Sequence, residues 1–314
     1  MSLGIVVVGA SFVDVKGYPF GTYIPAGRNA GRVENVHGGV SRNVAEDIAN
    51  VELRPTFVSL VDESGLGADV VEKLNRHRCN TSYIRRTPDG LGTWLAVFDH
   101  QGDVVASISK RPDMLPLLDI FAEKGDEIIS RADAVVLEID MEAEVLKRVL
   151  KLAEKYGRQV FAVVSNMSIA IERRDLMKRV ACLVCNEQEA GILFSENYAD
   201  MRPEELSVHL SEKVRRAGLR QMVVTMGAKG SAWANAVGEH GVCPAMTVQV
   251  RDTTGCGDAF FAGIAMGLTY GKTLAESCVI GTRLAASVIC TTENVCPRFL
   301  PAEFGIRRPQ EEKE

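Results

Sequence analysis

Apolar segments typical of β-strands alternate with amphipathic helical segments along most of this 314-residue chain. Because the strand-like segments are apolar throughout, both faces of the sheet that they form must be covered. This order predicts an α/β fold with a mostly parallel central sheet and helices on both faces. No linker rich in proline or serine divides the chain, so we expect a single domain over residues 1–314. The predicted strands are GIVVVGA (4–10), TFVSLV (56–61), ADAVVLEI (132–139), RQVFAVV (158–164), ACLVCN (181–186) and QMVVTMG (221–227). The predicted helices are SRNVAEDIAN (41–50), LGADVVEKLNRH (66–77), EAEVLKRVLKLAEKY (142–156) and EELSVHLSEKVRRA (204–217).

Two segments interrupt this alternation. Residues 15–37 are rich in glycine, contain two prolines and show no helical period. Residues 92–110 hold two alternating strand-like runs around a polar turn that contains Gly102, which is a hairpin pattern. We predict that the two inserts form a small β-sheet that lies over an active site as a lid. Surface loops without a function are the alternative interpretation.

Composition and charge limit the classes of function. The formal net charge of −5 gives no indication of affinity for nucleic acid, although it leaves room for an anionic substrate in a local pocket. The apolar N-terminal stretch is too short to span a membrane and lacks a basic region before it. Eight cysteines without a secretion signal indicate a reduced, cytoplasmic protein. The CLVC segment (182–185) fits a buried strand, and a metal or redox site is the alternative.

The segment DTTGCGD (252–258) carries the clearest chemistry. TVQVR (247–251) before it predicts a strand, and the apolar AFFAGIAMG after it predicts a buried helix. Gly255 and Gly257 permit unusual backbone dihedrals and leave the backbone open to a ligand. The amides of residues 255–258 would then lie at a helix N-terminus, where free N–H groups and the helix dipole attract anions. Such amides stabilise the charge that develops during phosphoryl transfer.

Asp258 needs a separate explanation. A carboxylate at a helix N-terminus is stabilised as the anion, so we expect its pKa to lie below the ordinary value. Phosphoryl transfer tolerates such a weak base, because the attacking hydroxyl keeps its proton until late in the reaction. Asp258 is therefore a candidate to orient a hydroxyl and accept its proton. The alternative is an N-terminal helix carboxylate without a catalytic role.

Several motifs together resemble the ribokinase/PfkB family of carbohydrate and nucleoside kinases. DTTGCGD is similar to the family's DTxGxGD signature, with Cys256 in place of the usual alanine. The other matching segments, in family order, are VVVGASFVD ending at Asp14, GGVSRN (38–43), NEQEAGIL (186–193) and VVTMGAKGSAW (223–233). The resemblance covers residues 4–300 and implies a ribokinase-like fold. One departure is VVSN (163–166), where many relatives have DPVS.

The resemblance implies roles for the residues of the substrate and the reacting phosphate. Asp258 would be the catalytic base, and an anion hole would form from the amides of Gly255, Cys256 and Gly257. The residues that would hold substrate hydroxyls are Asp14, Gly38, Gly39, Asn43 and, at the end of VVLE, Glu138. A turn cap at Asn43 and a solvated strand end at Glu138 are the alternatives.

The resemblance also implies the cofactors ATP, Mg²⁺ and K⁺. The ATP site would be lined by Thr225, Gly227 and Gly230, with Asn294 near the adenine or the cation loop. Mg²⁺ would be organised through water by Asn186 and Glu189, and the monovalent cation by Asp252 and Thr254. Asn186 and Glu189 also fit the start of a helix, which is the alternative interpretation of that pair.

The glycine-pair motif narrows the expected substrate. GGVSRN has an arginine directly before the asparagine and resembles the GGVARN form of pseudouridine kinases, and KRPDM (110–114) resembles their DM element. This predicts transfer of the ATP γ-phosphate to the 5′-hydroxyl of pseudouridine. Pairing of Arg42 with Glu46 or Asp47 is the structural interpretation of that arginine. By position, the candidates for contacts to a base are Thr93, Trp94 and Lys110.

Other functions stay open at this point. Within the family, ribokinase, an adenosine-type nucleoside kinase and another sugar kinase are the alternatives. A catalytically idle sensor of a nucleoside or sugar is an alternative of another class, although the intact DTTGCGD segment disfavours it. An NAD-dependent oxidoreductase is excluded, because no GxGxxG follows the first strand. We expect a homodimer that pairs through the lid.

Overall fold

The computed structural model describes residues 2–101 and 103–307. Its strands are β1 (Ile5–Val8), β2 (Phe12–Pro19), β3 (Gly31–Gly38), β4 (Thr56–Val61), β5 (Asn80–Arg86), β6 (Gly92–Phe98), β7 (Val104–Lys110), β8 (Ala134–Glu138), β9 (Val160–Val163), β10 (Cys182–Asn186), β11 (Gln221–Thr225), β12 (Ser231–Asn235) and β13 (His240–Cys243). Its helices are α1 (Val40–Asn50), α2 (Gly65–Arg76), α3 (Leu117–Glu123), α4 (Gly125–Ser130), α5 (Ala143–Lys155), α6 (Met167–Ala170), α7 (Arg174–Met177), α8 (Glu187–Phe194), α9 (Pro203–Ala217), α10 (Cys256–Thr269) and α11 (Leu274–Ile289). Short 3₁₀ turns lie at Ile171–Arg173, Gly227–Lys229 and Pro301–Phe304.

In the described residues, nine strands form the central sheet in the order β13-β12-β11-β10-β9-β8-β1-β4-β5. The pairs from β11 to β5 are parallel, and β12 and β13 add an antiparallel edge. Successive residues of β1 point to opposite faces, so Val6 and Val8 enter one apolar core while Ile5 and Val7 enter the other. This arrangement confirms the predicted mostly parallel α/β sheet with helices on both faces.

The second sheet has four strands in the order β3-β2-β6-β7 and confirms the small sheet predicted from the two inserts. The first insert begins at Phe12 rather than at residue 15, so Asp14 lies within β2 of this sheet and not at the end of the first strand. The second insert forms the antiparallel pair β6–β7. Gly102, which we placed in the turn of that hairpin, lies outside the described residues.

Two further predictions about local structure were wrong or incomplete. TVQVR (247–251) forms no strand in the described structure, because its side chains are largely exposed and no neighbouring strand pairs with it. The strands β5, β12 and β13 were not predicted, since short, partly exposed strands lack a continuous apolar run. Among the described residues, no helix is long and apolar enough to cross a membrane.

The CLVC segment forms the buried strand β10, as the first of its two interpretations predicted. Burial raises the pKa of the Cys182 thiol and of the Cys185 thiol above the ordinary value. No group of three or more His, Cys, Asp or Glu side chains within residues 2–101 and 103–307 is arranged to hold a metal ion. The two thiols therefore pack as small apolar groups, and the metal interpretation lacks support.

Candidate active site

The glycine pair at the start of α1 brings the lid against the central sheet. Gly39 is the N-cap of α1 with φ 94°, a conformation that favours glycine. A Cβ atom at Gly39 would lie 3.0 Å from the Ala10 carbonyl oxygen, and one at Gly38 would lie 2.5 Å from Oδ1 of Asp14. Only a residue without a side chain lets the Asp14 carboxylate pack on this backbone. The structure thus places Asp14, Gly38 and Gly39 together, as predicted.

Asn43 lies one helical turn into α1 and contacts the candidate base directly. Its Nδ2 donates a hydrogen bond of 2.6 Å to Oδ2 of Asp258. Its Oδ1 accepts hydrogen bonds from the Arg42 guanidinium and, at 3.3 Å, from Nδ2 of Asn294. Asn43 is therefore held within the site and is more than the cap of a turn.

The Asn294 side chain contacts Asn43, and its backbone carbonyl oxygen lies beside Gly255, next to the predicted cation loop. A contact of Asn294 to the adenine stays a prediction. Nδ2 of Asn294 also donates a hydrogen bond of 2.6 Å to the carbonyl oxygen of His37 at the end of the lid strand β3. The buried Asn294 side chain joins the lid to α1, because burial requires its amide to find partners within the protein.

The environment of Asp258 reverses the expected direction of its pKa. Burial raises the pKa of Asp258 to about 7, and the charges of Glu138 and Asp14 act in the same direction. The hydrogen bond from Asn43 and the charge of Arg42 oppose this rise. Desolvation therefore outweighs the helix N-terminus, which the sequence alone suggested would dominate. Near neutral pH, a sizeable fraction of Asp258 is protonated.

Glu138 ends β8 as a buried carboxylate, not a solvated one. Its Oε2 accepts a hydrogen bond of 3.1 Å from the Ala10 amide and one of 2.7 Å from the Ser41 hydroxyl. Burial raises the pKa of Glu138, and the charge of Asp140 adds to the rise. The guanidinium of Arg111 lies 3.8 Å from Oε1 of Glu138.

Asp140, which is buried, and Arg111, which is half-buried, form an ion pair beside Glu138. Nη1 of Arg111 lies 2.8 Å from Oδ2 of Asp140, whose two oxygens also accept from the amide (3.0 Å) and the hydroxyl (2.8 Å) of Ser165. Sequence reasoning did not single out any of these residues. The available signals were the KRPDM segment and the departure at VVSN, each of which supplies one partner of Asp140.

The turn that precedes α10 is closely packed. Gly255 is the N-cap with φ 82°, and a Cβ atom there would overlap the carbonyl oxygen of Asn294. The helix after it is buried, and at Gly263 a Cβ atom would lie 2.5 Å from the Cα atom of Gly281 on α11. This close backbone packing holds the turn in place. The predicted buried helix after DTTGCGD is therefore confirmed.

The three amides expected to bind an anion differ in how far their own loop uses them. The Cys256 amide donates at 3.3 Å to the carbonyl oxygen of Thr253, so its own loop partly uses it. Within the described residues, no intramolecular acceptor is found for the Gly255 amide, whereas the Gly257 amide faces the Cys256 sulfur and acts to lower the pKa of that thiol. Burial raises the pKa of the Cys256 thiol, and the charge of Asp258 adds to this.

The residues predicted for the nucleotide and the metal lie at the ends of β10 and β11. Asn186 and Glu189 form a capping box at α8, in which each side chain accepts a 2.8 Å hydrogen bond from the other's amide. Asn186 also pairs in register with Thr225. Gly227 and Gly230 follow Thr225 with φ 56° and 95°. The helix-start interpretation of the asparagine and glutamate thus holds, and it leaves one Glu189 oxygen outside the cap.

The cation loop and the lid residues show mostly local contacts. Oδ1 of Asp252 accepts a hydrogen bond of 2.8 Å from the Thr254 amide, which closes a tight turn. Trp94 packs edge-on against Phe98 in the lid. Lys110 forms an ion pair with Asp89 at the lid edge, and Thr93 pairs with Lys110 in the β6–β7 register. None of these contacts provides evidence for reading a base.

Lys16 is a lid residue that sequence reasoning missed. It follows Asp14 by two positions in β2, so both side chains lie on the same face of the lid. Only 6% of Lys16 is exposed, and among the described residues its ammonium has no hydrogen-bond or ion-pair partner. Glu34 lies opposite in β3, but its carboxylate pairs with Arg32 at 3.2 Å. Burial raises the pKa of Asp14, and the charge of Lys16 opposes the rise.

Comparison with known proteins identifies the family. The family model described as pfkB family carbohydrate kinase matches residues 2–297. A guanosine-inosine kinase from Exiguobacterium acetylicum is 31% identical over 301 residues, covering 95% of this chain and 98% of the relative. A pseudouridine kinase from Escherichia coli (strain K12) is 24% identical over 274 residues, covering 87% and 86%. A solved structure of Arabidopsis thaliana ribokinase complexed with ribose and ATP has a TM-score of 0.83 at 21% identity, covering 97% and 99%.

The fold is therefore that of a ribokinase-like α/β enzyme with a small second sheet. The chain belongs to the pfkB family of carbohydrate kinases. It is a phosphotransferase that acts on a hydroxyl group of a sugar or a nucleoside. The family predicted from the sequence motifs is confirmed.

Proposed function

We propose that this protein is an ATP-dependent nucleoside kinase that transfers the γ-phosphate to the 5′-hydroxyl of guanosine or inosine. The observation that carries the proposal is the 31% identity to a guanosine-inosine kinase over nearly the whole of both chains. A cluster of two buried carboxylates and one half-buried carboxylate supports it, since such groups bind and deprotonate sugar hydroxyls. The members of that cluster are Asp14, Glu138 and Asp258.

In the proposed mechanism, the ribose lies between the lid and the end of the central sheet. Asp14 and the Gly38–Gly39 backbone hold ribose hydroxyls, while Asp258 orients the 5′-hydroxyl and takes its proton as the oxygen–phosphorus bond forms. The amides of Gly255 and Gly257 stabilise the charge on the transferred phosphoryl group. The buried helix α10 keeps these groups in a fixed position relative to one another.

ATP would lie along the ends of β10 and β11, over Thr225, Gly227 and Gly230. The Glu189 carboxylate fits an Mg²⁺ ion held through water, because magnesium keeps several waters and takes few protein carboxylates. When bound, the ion neutralises phosphate charge. We propose that K⁺ binds beside the Asp252–Thr254 turn. The test is whether the kinase activity requires potassium.

Pseudouridine is the second candidate substrate. GGVSRN and KRPDM favour it, and an E. coli pseudouridine kinase matches over 87% of this chain. Guanosine, inosine and pseudouridine each carry oxo groups on the base. Lys16 is suited to read such a group, because a lysine ammonium only donates hydrogen bonds and adenosine presents an amino group at the purine 6-position. We therefore propose Lys16 as the base-contacting residue.

The decisive experiment measures ATP consumption with Mg²⁺ and K⁺ against guanosine, inosine, pseudouridine, uridine, adenosine, ribose and fructose. Selective turnover of guanosine and inosine supports the proposal, and selective turnover of pseudouridine supports the second candidate. Turnover of a free sugar refutes the nucleoside assignment but keeps Asp258 as the base. Ligand binding without any turnover identifies a sensor. With the true substrate, Asn43→Ala should raise KM.

Two further proposals concern assembly and location. The outer face of the lid exposes Val33 (72%) and Ile108 (69%), a pattern that supports pairing of two lids in a homodimer. All eight cysteines are free, which supports a reducing, cytoplasmic location. Light scattering tests the dimer, and imaging of a tagged chain in its cell of origin tests the location.

A further inference from the structure

Arg42 is a completely buried cation that makes hydrogen bonds in addition to the ion pair that compensates its charge. Its exposed fraction is 0%, and Nη1 forms an ion pair with Glu46, the partner that sequence reasoning had offered together with Asp47. Lys73 also lies 3.3 Å from Glu46, so that carboxylate has more than one cation. The other guanidinium nitrogen, Nη2, donates to the His37 carbonyl at 2.7 Å and to Oδ1 of Asn43. This second set of contacts faces the active site.

These contacts fix the orientation of the Asn43 amide. A guanidinium group only donates hydrogen bonds, so the Asn43 atom that faces Arg42 must be the carbonyl oxygen. The NH₂ end then faces Oδ2 of Asp258 at 2.6 Å. Rotating the amide by half a turn would oppose donor to donor at Arg42 and oxygen to carboxylate at Asp258. Asn294 strengthens the same orientation, because its Nδ2 donates to the same oxygen at 3.3 Å.

We propose that Arg42 is a positioning residue that acts through Asn43 to determine which oxygen of Asp258 receives the substrate proton. Asn43 occupies Oδ2, and Oδ1 is left to face the hydroxyl. This inference rests on the proposed kinase function. As the substrate oxygen bonds to the γ-phosphorus, its proton moves to Oδ1. The bond from that phosphorus to the bridging oxygen breaks, and ADP leaves with the electron pair.

The test compares Arg42→Lys with Glu46→Gln, using nucleoside and Mg-ATP. Lysine keeps a positive charge beside Glu46 but lacks the planar fork that reaches Asn43. Glutamine removes the ion pair but still offers an oxygen to Arg42. Each variant is measured for kcat from pH 5.5 to 9, for the nucleoside Kd and for Tm.

The expected result separates the two variants. Misplacing Asp258 by part of an ångström lowers kcat of Arg42→Lys by about 10- to 100-fold, with Kd within about threefold. Loss of the Asn43 hydrogen bond also moves the acid limb of its kcat profile to higher pH. The charged groups that face Asp258 are unchanged otherwise: Asp14, Glu138 and Asp47 remain. Glu46→Gln keeps kcat and the acid limb near those of the unaltered enzyme, whatever its Tm.

Three results would overturn the inference. They are an unchanged kcat and acid limb in Arg42→Lys, an equal loss of kcat in Glu46→Gln, and recovery of kcat in the double variant Arg42→Met with Glu46→Gln. The double variant leaves no unpaired buried charge, so it also serves if Arg42→Lys does not fold; we expect it to lose kcat as well. Every comparison is a ratio to the unaltered enzyme on the hydroxyl substrate that it turns over. A free-sugar substrate would therefore refute the nucleoside assignment and still test Arg42.

Discussion

Replacing Asp258 with asparagine separates the contribution of this carboxylate to turnover from its effect on the free energy of unfolding. Asparagine keeps the shape and can still bind Asn43, but it cannot accept the proton of the 5′-hydroxyl. We expect kcat to fall by about 10²- to 10⁴-fold, the range typical of a lost general base. Nucleoside binding, measured by calorimetry without Mg-ATP, should change by less than about threefold.

The same substitution should stabilise the protein at alkaline pH. With a pKa of about 7 in the folded state and 3.8 as the ordinary value, the Asp258 carboxyl binds a proton more tightly in the folded chain. Stability is then fully present below the ordinary pKa and declines as pH rises towards 7. The full shift of about three units corresponds to about 4 kcal/mol. Roughly two of these units, or about 3 kcal/mol, fall between pH 5 and pH 8.

Asp258 keeps partial contact with solvent in the cleft, so we expect only about 1–2 kcal/mol of this difference. The measurement is urea unfolding of both proteins at pH 5 and pH 8. As pH rises, the free energy of unfolding of the Asp258→Asn variant should increase relative to that of the unaltered chain. The control Asp175→Asn, at an exposed carboxylate on α7, should show no such increase. Identical pH slopes for all three proteins would refute the argument that burial raises the pKa of Asp258.

The remaining predictions address the turn, the base and the lid. Gly255→Ala should lower Tm by several degrees and abolish most activity, because φ 82° and a nearby backbone oxygen exclude a side chain. In the same thermal scan, Gly257→Ala should leave Tm unchanged, because its added Cβ meets no atom within 4 Å. Lys16→Met should lower the ratio of kcat/KM for guanosine to that for adenosine by about tenfold or more, as expected for a lost charged hydrogen bond, and an unaltered ratio would remove Lys16 as the base reader. Ile108→Asp should convert a dimer to a monomer in light scattering, and a dimer that persists would show that the lids do not pair.

The family and the architecture could be predicted from the sequence because both depend on local patterns. Alternating apolar and amphipathic segments determine the layers, and DTTGCGD and GGVSRN carry their glycines at fixed spacing. Asn294 and Asp14 show where this reasoning stops. Asn294 lies far along the chain from His37 and Asn43, which its side chain contacts, and Asp14 belongs to a strand that could not be told from the end of β1. Such pairings depend on tertiary packing, which no local pattern contains.

The pKa of Asp258 shows the same limit of reasoning from sequence. It also gives a reason for the burial of this carboxylate. A helix N-terminus is visible in sequence and favours the anion. The desolvation that dominates, and the charges of Glu138 and Asp14 that add to it, arise only in the folded chain. A carboxylate with an ordinary pKa would bind a hydroxyl proton only weakly at neutral pH. General-base catalysis works best when the pKa lies near the working pH, and burial brings Asp258 there. The stability lost at alkaline pH and the basicity required for proton transfer therefore have one cause, and a variant that lowers the pKa of Asp258 should gain stability and lose turnover together.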